Sequence, residues 1–277
     1  MNFLQNILKI KTIILIIILS TIPIFSQDDE LDKLPYDDTP EKALKNTLAY
    51  RGVAELGYNF NFSLINYDEI NNLISNEANN YNKLEDNLLL SGMRLSFYIP
   101  FIKNSKIGFY NLSGSAQSEE KSIVQNSDTL KNIAELELNM TGVSFDYGIV
   151  LFPSFAITLG ANICFSGEMN IKLSQFKQEN SWEEIQNNLN SNNSIIISKK
   201  FMQLQPSFGI EWTPTNFLML RLNTFYNLTF TDIFSDSDWK INSLGNLSNV
   251  PSGINPDAFN ISLGVFIGVF NFDSLDK

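Results

Sequence analysis

The sequence contains no histidine and a single cysteine, Cys164, in 277 residues. Without histidine, the nucleophile–histidine pairs of serine and cysteine hydrolases cannot be assembled, and the commonest metal ligand is missing. One cysteine excludes an internal disulfide, and Cys164 lies too far along the chain to carry a lipid at a processed N-terminus. Cations are scarce: 19 Lys and Arg stand against 30 Asp and Glu, a formal charge of −11. Phosphate binding needs clustered Lys and Arg, so nucleic acid is excluded as a partner. No apolar run reaches the roughly 20 residues that a membrane-spanning helix requires.

The longest such run is "TIILIIILSTIPIF", Thr12 to Phe25, preceded by Lys9 and Lys11 and followed by Ser26 and Gln27. A basic start, a short apolar stretch and a small residue before the break describe a secretory signal peptide over residues 1–26. The segment 27–51 is acidic and proline-punctuated, with a short helix expected from about Pro40 to Ala49.

From Gly52 onward the hydrophobic period becomes two, the signature of strands. Ala54, Leu56, Tyr58, Phe60, Phe62 and Leu64 alternate with Glu55, Gly57, Asn59, Asn61 and Ser63. Similar alternation covers about 89–99, 106–114, 133–151, 155–173, 198–212, 217–230 and 259–272. In the fourth of these strands the pattern changes around Thr141–Gly142, which predicts a β-bulge and a change of face. In the fifth, Phe155, Ile157, Leu159, Ala161, Ile163, Phe165, Met169, Ile171 and Leu173 form the apolar row. The last segment contains a GxxxG pair, Gly264 and Gly268, which in a longer apolar stretch would suggest a packed membrane helix. It offers too few apolar residues to span as a helix and is rich in Phe, Val and Ile, so it reads as a strand.

The links between these strands alternate long and short. "PFIKNS", "FPS" and "TPTN" are short, and the other four run to about 17–26 residues rich in Asn, Ser, Asp and Glu. Neighbouring strands therefore run antiparallel, with every long loop at one end. Short turns, long loops and about eight strands are the pattern of a transmembrane up-and-down antiparallel β-barrel. A soluble eight-stranded barrel also alternates, but its polar face meets water and would be well supplied with Lys and Glu. Here Glu55, Arg94, Lys106, Glu135, Glu137, Asp146, Glu168, Lys172, Glu211 and Arg221 fall opposite the apolar row of their strands, and that row carries no charged residue. Sorting of this strictness is what a bilayer imposes, since a lipid-facing cation costs roughly 2–4 kcal/mol at mid-depth. Phe97, Tyr98, Phe101, Phe152, Phe155, Trp212 and Phe217 gather near the short turns, where an interfacial girdle belongs.

The ending "GVFNF", with Phe270 and Phe272, resembles the C-terminal insertion signal of small bacterial outer-membrane β-barrel proteins. The likeness to that class extends over residues 52–272, with a tail "DSLDK" at 273–277. The resemblance implies an outer-membrane location, lipids as surroundings and the barrel-insertion machinery as a partner through the terminal strand.

An eight-stranded barrel has an interior just wide enough for side chains to fill. Glu55, Arg94, Asp146, Glu211 and Arg221 are placed to form an ion-paired plug toward the short turns, with Glu135, Glu137, Glu168 and Lys172 a second lumen group toward the loops. The same charges could instead line a cation path. Trp182 and Trp239 stand in polar loops as candidate contacts for an external partner, although aromatics so placed more often fold back on the loop or sit at the membrane interface. Asp236 and Asp238 lack the rest of a calcium loop, so no metal site is assigned, and no cofactor is expected. The expected function is non-enzymatic: a surface-exposed structural or binding protein acting through acidic loops, or alternatively a narrow porin-like channel for small solutes or cations.

Overall fold

The computed structural model describes residues 50–75, 80–102, 104–125, 128–152, 154–177, 193–230, 239–242, 245–247, 250–251 and 253–272. Residues 1–49, with the expected signal peptide and nearly all of the acidic segment and its expected helix, lie outside them, as do Trp182, Asp236, Asp238 and the tail 273–277.

Eight strands carry the architecture: β1 (Tyr50–Ile65), β2 (Leu88–Tyr98), β3 (Ser105–Gln117), β5 (Asp128–Phe152), β6 (Phe155–Lys177), β7 (Asn193–Thr215), β8 (Leu218–Tyr226) and β12 (Ala258–Phe272). Four short strands decorate the loop end: β4 (Lys121–Gln125), β9 (Leu228–Phe230), β10 (Lys240–Ile241) and β11 (Gly245–Asn246). Each long strand pairs antiparallel with its neighbours, and β12 returns to pair with β1, from Tyr50↔Phe272 to Ile65↔Ala258. The order β1–β2–β3–β5–β6–β7–β8–β12 is thus a closed ring, though not an even one about a single axis. Closure leaves no open edge along the ring, the condition under which strands can cross a bilayer.

The alternation in sequence becomes the two sides of this wall. On β12, Phe259, Ile261, Leu263, Val265, Ile267 and Val269 point outward, while Asn260, Ser262, Gly264, Phe266 and Phe270 are buried within. On β1, Leu56, Tyr58, Phe60, Phe62 and Leu64 point out against Glu55, Gly57, Asn59, Asn61 and Ser63. The outward row of β12, from Phe259 to Val269, matches the roughly 9–11 residues needed to cross a membrane. Every charged side chain at this level faces inward and the outer wall is predominantly apolar, broken by a few polar groups such as Ser91 and Asn111, as in a transmembrane β-barrel. Gly57 and Gly264 are required by the interior: a Cβ on Gly57 would run into the ring of Phe266, its register partner.

Turn chemistry fixes the short connections. Between β2 and β3, Asn104 adopts φ 61°, a left-handed conformation that asparagine tolerates better than most residues. Between β7 and β8, Thr215 Oγ1 accepts a hydrogen bond from the Leu218 backbone N–H at 3.2 Å. Phe97, Phe101, Trp212 and Phe217 stand exposed near these turns.

Beyond the apolar belt the wall continues. β5 is 25 residues long and β6 and β7 are 23 each, about twice what a bilayer needs. At the transition the bulge is real, but the extra residue belongs to β6. Thr141 pairs with Ser166 and Gly142 with Cys164, while Cys164 pairs with Gln203 and Gly167 with Phe201. Both neighbours therefore skip residues of β6, and β5 itself keeps its even-numbered residues inward from Asn132 to Gly148. What changes on β5 is the chemistry of the inner face, from Asp146, Ser144 and Gly142 to Met140, Leu138, Leu136 and Ala134. On β6 the bulge moves the inward row from even to odd, so Met169 and Ile171 face the interior rather than continuing the outer row.

These side chains join a buried apolar core at the loop end with Leu88, Leu90, Leu112, Cys164 and Phe201. A short helix, α1 (Asp68–Ile74), adds Ile70 and Ile74 to it. Asn71 pins the following loop to α1, donating from Nδ2 to the Leu84 carbonyl at 3.0 Å and accepting from the Leu84 N–H at 2.8 Å. Each large apolar side chain buried here contributes about 1.5–3 kcal/mol.

The two-sided wall predicts how arginine is tolerated. Leu263→Arg, in the middle of the outward row of β12, is expected to destabilise the folded barrel by roughly 2–4 kcal/mol in lipid vesicles. Asn170→Arg, outward on β6 beyond the belt, should change stability by less than about 0.5 kcal/mol. Urea titration followed by heat-modifiability on gels measures both, and equal losses would contradict an apolar exterior.

Candidate functional site: a six-charge cluster and the layers above it

Three carboxylates and three cations meet inside the turn-side half of the ring. Glu55 comes from β1, Arg94 from β2, Lys106 from β3, Asp146 from β5, Glu211 from β7 and Arg221 from β8. All six are at least 95 % buried, a condition that charged groups survive only when paired.

The pairing is continuous. Arg94 Nη2 donates to Asp146 Oδ2, and Arg221 Nη1 stands 3.6 Å from the same oxygen. Arg221 Nη2 donates to Glu55 Oε1 at 2.9 Å and also to Glu211 Oε1. Lys106 Nζ completes the cluster, 2.7 Å from Glu211 Oε1 and 3.3 Å from Glu55 Oε2. Three positive charges thus balance three negative ones. Register explains part of this: Glu211 and Arg221 are direct cross-strand partners in the β7–β8 hairpin, and Lys106 and Asp146 are partners on β3 and β5.

Aromatic and apolar side chains close around the cations. The Arg221 guanidinium lies 4.7 Å from the centre of the Phe266 ring, and Lys106 Nζ lies 5.5 Å from that of Tyr98. Such contacts add about 0.5–2 kcal/mol each, more where water is excluded. Phe266, Phe270 and Met219 form a small buried cluster of their own on the same side.

Above the charges lies a layer of amides and hydroxyls. Tyr110 Oη donates to Gln205 Oε1 at 3.4 Å, and Gln205 Nε2 donates to Gln203 Oε1 at 2.9 Å. Gln203 Nε2 in turn reaches Thr229 Oγ1 at 3.1 Å. The apolar core of the loop end follows. From turns to loops, the interior is charged, then polar, then apolar.

Lys106 is the member that sequence reasoning left out of the network. It falls on the polar side of its strand, which is the available signal, but it stands beside the turn, where the rim rather than the interior would be expected. Its long side chain reaches Glu55 and Glu211 from there. Glu135, Glu137, Glu168 and Lys172 are a correction in the other direction. They occupy the face of β5 and β6 opposite the buried row, half-exposed on the outside of the barrel beyond the apolar belt. There Glu135 and Lys172 are cross-strand partners, 3.9 Å apart. They form no second lumen group, because the inner face at this level is the apolar core. Trp239 folds back rather than standing free for a partner: it is 6 % exposed and part of that core, with Lys199 Nζ 5.4 Å from its ring centre.

The carboxylates of the cluster are all engaged by cations, so the arrangement offers neither a free base nor an activated nucleophile. Among the described residues no group of three or more His, Cys, Asp or Glu is disposed to hold a metal ion.

No protein-family model matches the sequence, and no curated protein matches it. Similar solved structures exist at low identity. The attachment invasion locus protein Ail of Yersinia pestis aligns at 10 % identity over 79 % of this chain and 99 % of its own, with a TM-score of 0.40. The N-terminal β-barrel domain of Pseudomonas aeruginosa OprF aligns at 10 % over 79 % and 98 %, TM-score 0.36. A major outer membrane protein of Thermus thermophilus aligns at 9 % over 78 % and 98 %, TM-score 0.41. At these identities and scores none of them transfers a function to this chain.

The cluster makes a specific stability prediction. Lys106→Met strands Glu55 and Glu211 on Arg221 alone and is expected to cost about 3–5 kcal/mol. Adding Glu211→Gln should restore part of that loss, because it removes the uncompensated charge. Urea midpoints of the wild type, both single variants and the double variant measure the coupling, and strictly additive effects would contradict a shared network.

Proposed function

We propose that the protein is an outer-membrane β-barrel that does not conduct and that works as a surface-exposed structural or binding protein. The observation that carries this reading is the neutral six-charge cluster. It joins six of the eight strands across the turn-side half of the lumen, with every charge buried and paired. An aqueous path would have to break these contacts, and stranding one member of a buried pair costs about 3–5 kcal/mol. The apolar core of the loop end supports the same reading, since a water-filled mouth would expose side chains that are fully buried.

What remains for function is the part that stands beyond the membrane. The extended β5, β6 and β7, α1 and the described loop residues form a packed external cap, the arrangement by which scaffolds present binding loops. Folding into the membrane through the barrel-insertion machinery, with β12 as the recognised strand, belongs to this reading.

Planar-bilayer recording of the full-length protein tests it. The wild type is expected to show no steady single-channel steps. A reproducible wild-type conductance, with Arg94→Ala altering ion selectivity but leaving stability unchanged, would replace this reading with that of a narrow cation channel.

A further inference from the structure

The layer between the charges and the apolar core contains polar groups that the described residues do not satisfy. The side-chain oxygens of Asn61, Asn162, Asn223 and Asn260, and the hydroxyls of Ser63 and Ser144, are buried without a hydrogen-bond partner among those residues. A buried amide or hydroxyl left unpaired costs about 1–3 kcal/mol, so six together would consume much of a typical net stability of about 5–15 kcal/mol. They are not confined to one seam. Asn61 and Ser63 belong to β1, Asn223 to β8 and Asn260 to β12, whereas Ser144 and Asn162 belong to β5 and β6. In the ring order β6 is four strands from β1 in either direction, so the strands that carry these groups lie on opposite sides of the ring.

Glycine lets the interior amides pack close against the wall. A Cβ on Gly209 would collide with Asn223 Oδ1, and one on Gly264 would meet Asn59 Oδ1. Of these six atoms four are amide oxygens, which only accept, and two are hydroxyls, and the neighbouring charges already balance. The fitting occupant is therefore neutral and donates hydrogen bonds. Water has that chemistry: with two to four bonds per molecule, these six groups call for roughly two or three waters. A bare cation would gain no compensating charge from a cluster that is already neutral.

We propose that the middle of the barrel is a closed, water-holding chamber sealed independently at its two ends, by the six charges toward the turns and by the apolar core toward the loops. This rests on the non-conducting reading and adds that either seal suffices alone.

The test uses the full chain with Cys164→Ser, a thiol introduced by Asn223→Cys, and proteoliposomes of uniform orientation. A membrane-impermeant methanethiosulfonate reagent is added from the loop side or from the turn side. In the intact barrel, labelling is expected to be at least about tenfold slower than at an exposed Glu85→Cys control, because it requires local opening. The pair Arg94→Ala/Asp146→Ala should admit reagent from the turn side only, and Met140→Ala/Phe201→Ala from the loop side only. Steady conductance should appear only when all four changes are combined.

Fast labelling of the intact barrel overturns the chamber, and so does labelling of either two-residue variant from both sides. So does a folded four-residue variant that stays unlabelled. Magnetisation transfer from water to the Asn61 and Asn223 side-chain amides, measured on the unmodified chain by NMR, needs no seal variant to fold; its absence overturns the proposal as well. Wild-type conductance would sink the non-conducting reading, whereas fast labelling without conductance would sink the chamber alone.

Discussion

A closed ring of eight strands leaves so little interior space that whatever charge enters must find its partner there, and the rest of the turn-side half follows from that constraint. Glu55, Glu211 and Asp146 are tolerable because Lys106, Arg94 and Arg221 reach them, and the cations in turn lean on Tyr98 and Phe266. Phe266 fits only because its register partner is glycine. The charges, the aromatics and the glycines are thus one packing solution. Removing any one charge leaves the cluster unbalanced with fewer partners for the charges that stay, which is why it couples strands far apart in sequence.

The same wall is built twice, with its sides exchanged. Within the membrane the outer face is apolar and the inner face polar, as on β5 from Val143 to Leu151 against Asp146 and Ser144. Beyond it, where the outer face meets water, Glu135 and Glu137 stand outside while Leu136, Leu138 and Met140 form the core. The exchange follows from the change of surrounding medium. In lipid there is no gain from burying apolar side chains away from the bilayer, whereas in water that burial is the main driving force. β5 makes the exchange without changing face, and β6 makes it across a bulge at Phe165–Ser166.

This inversion also ties fold to function. In the proposed reading, a lumen filled with paired charge at one end and packed hydrocarbon at the other leaves the extended strands and α1 as a folded platform outside the membrane. The intermediate polar layer is the necessary join, since neither charged groups nor hydrocarbon could pack directly against the other without cost.

Sequence alone determined the number of long strands, their antiparallel order and the outward rows on the turn side of the bulge, because the period of two and the alternation of long and short links are local properties; past the bulge the row expected on β6 turns inward at Met169 and Ile171. The turn-side charges at Glu55, Arg94, Asp146, Glu211 and Arg221 were legible for the same reason. The tertiary structure alone decided that Lys106 joins them, since reach from the rim depends on what stands across the lumen. It also decided that Glu135, Glu137, Glu168 and Lys172 lie outside and that Trp239 lies within. A strand's polar row reads identically whether it faces a lumen or open water; only the position of the membrane boundary along β5 and β6 says which, and no local pattern encodes that boundary.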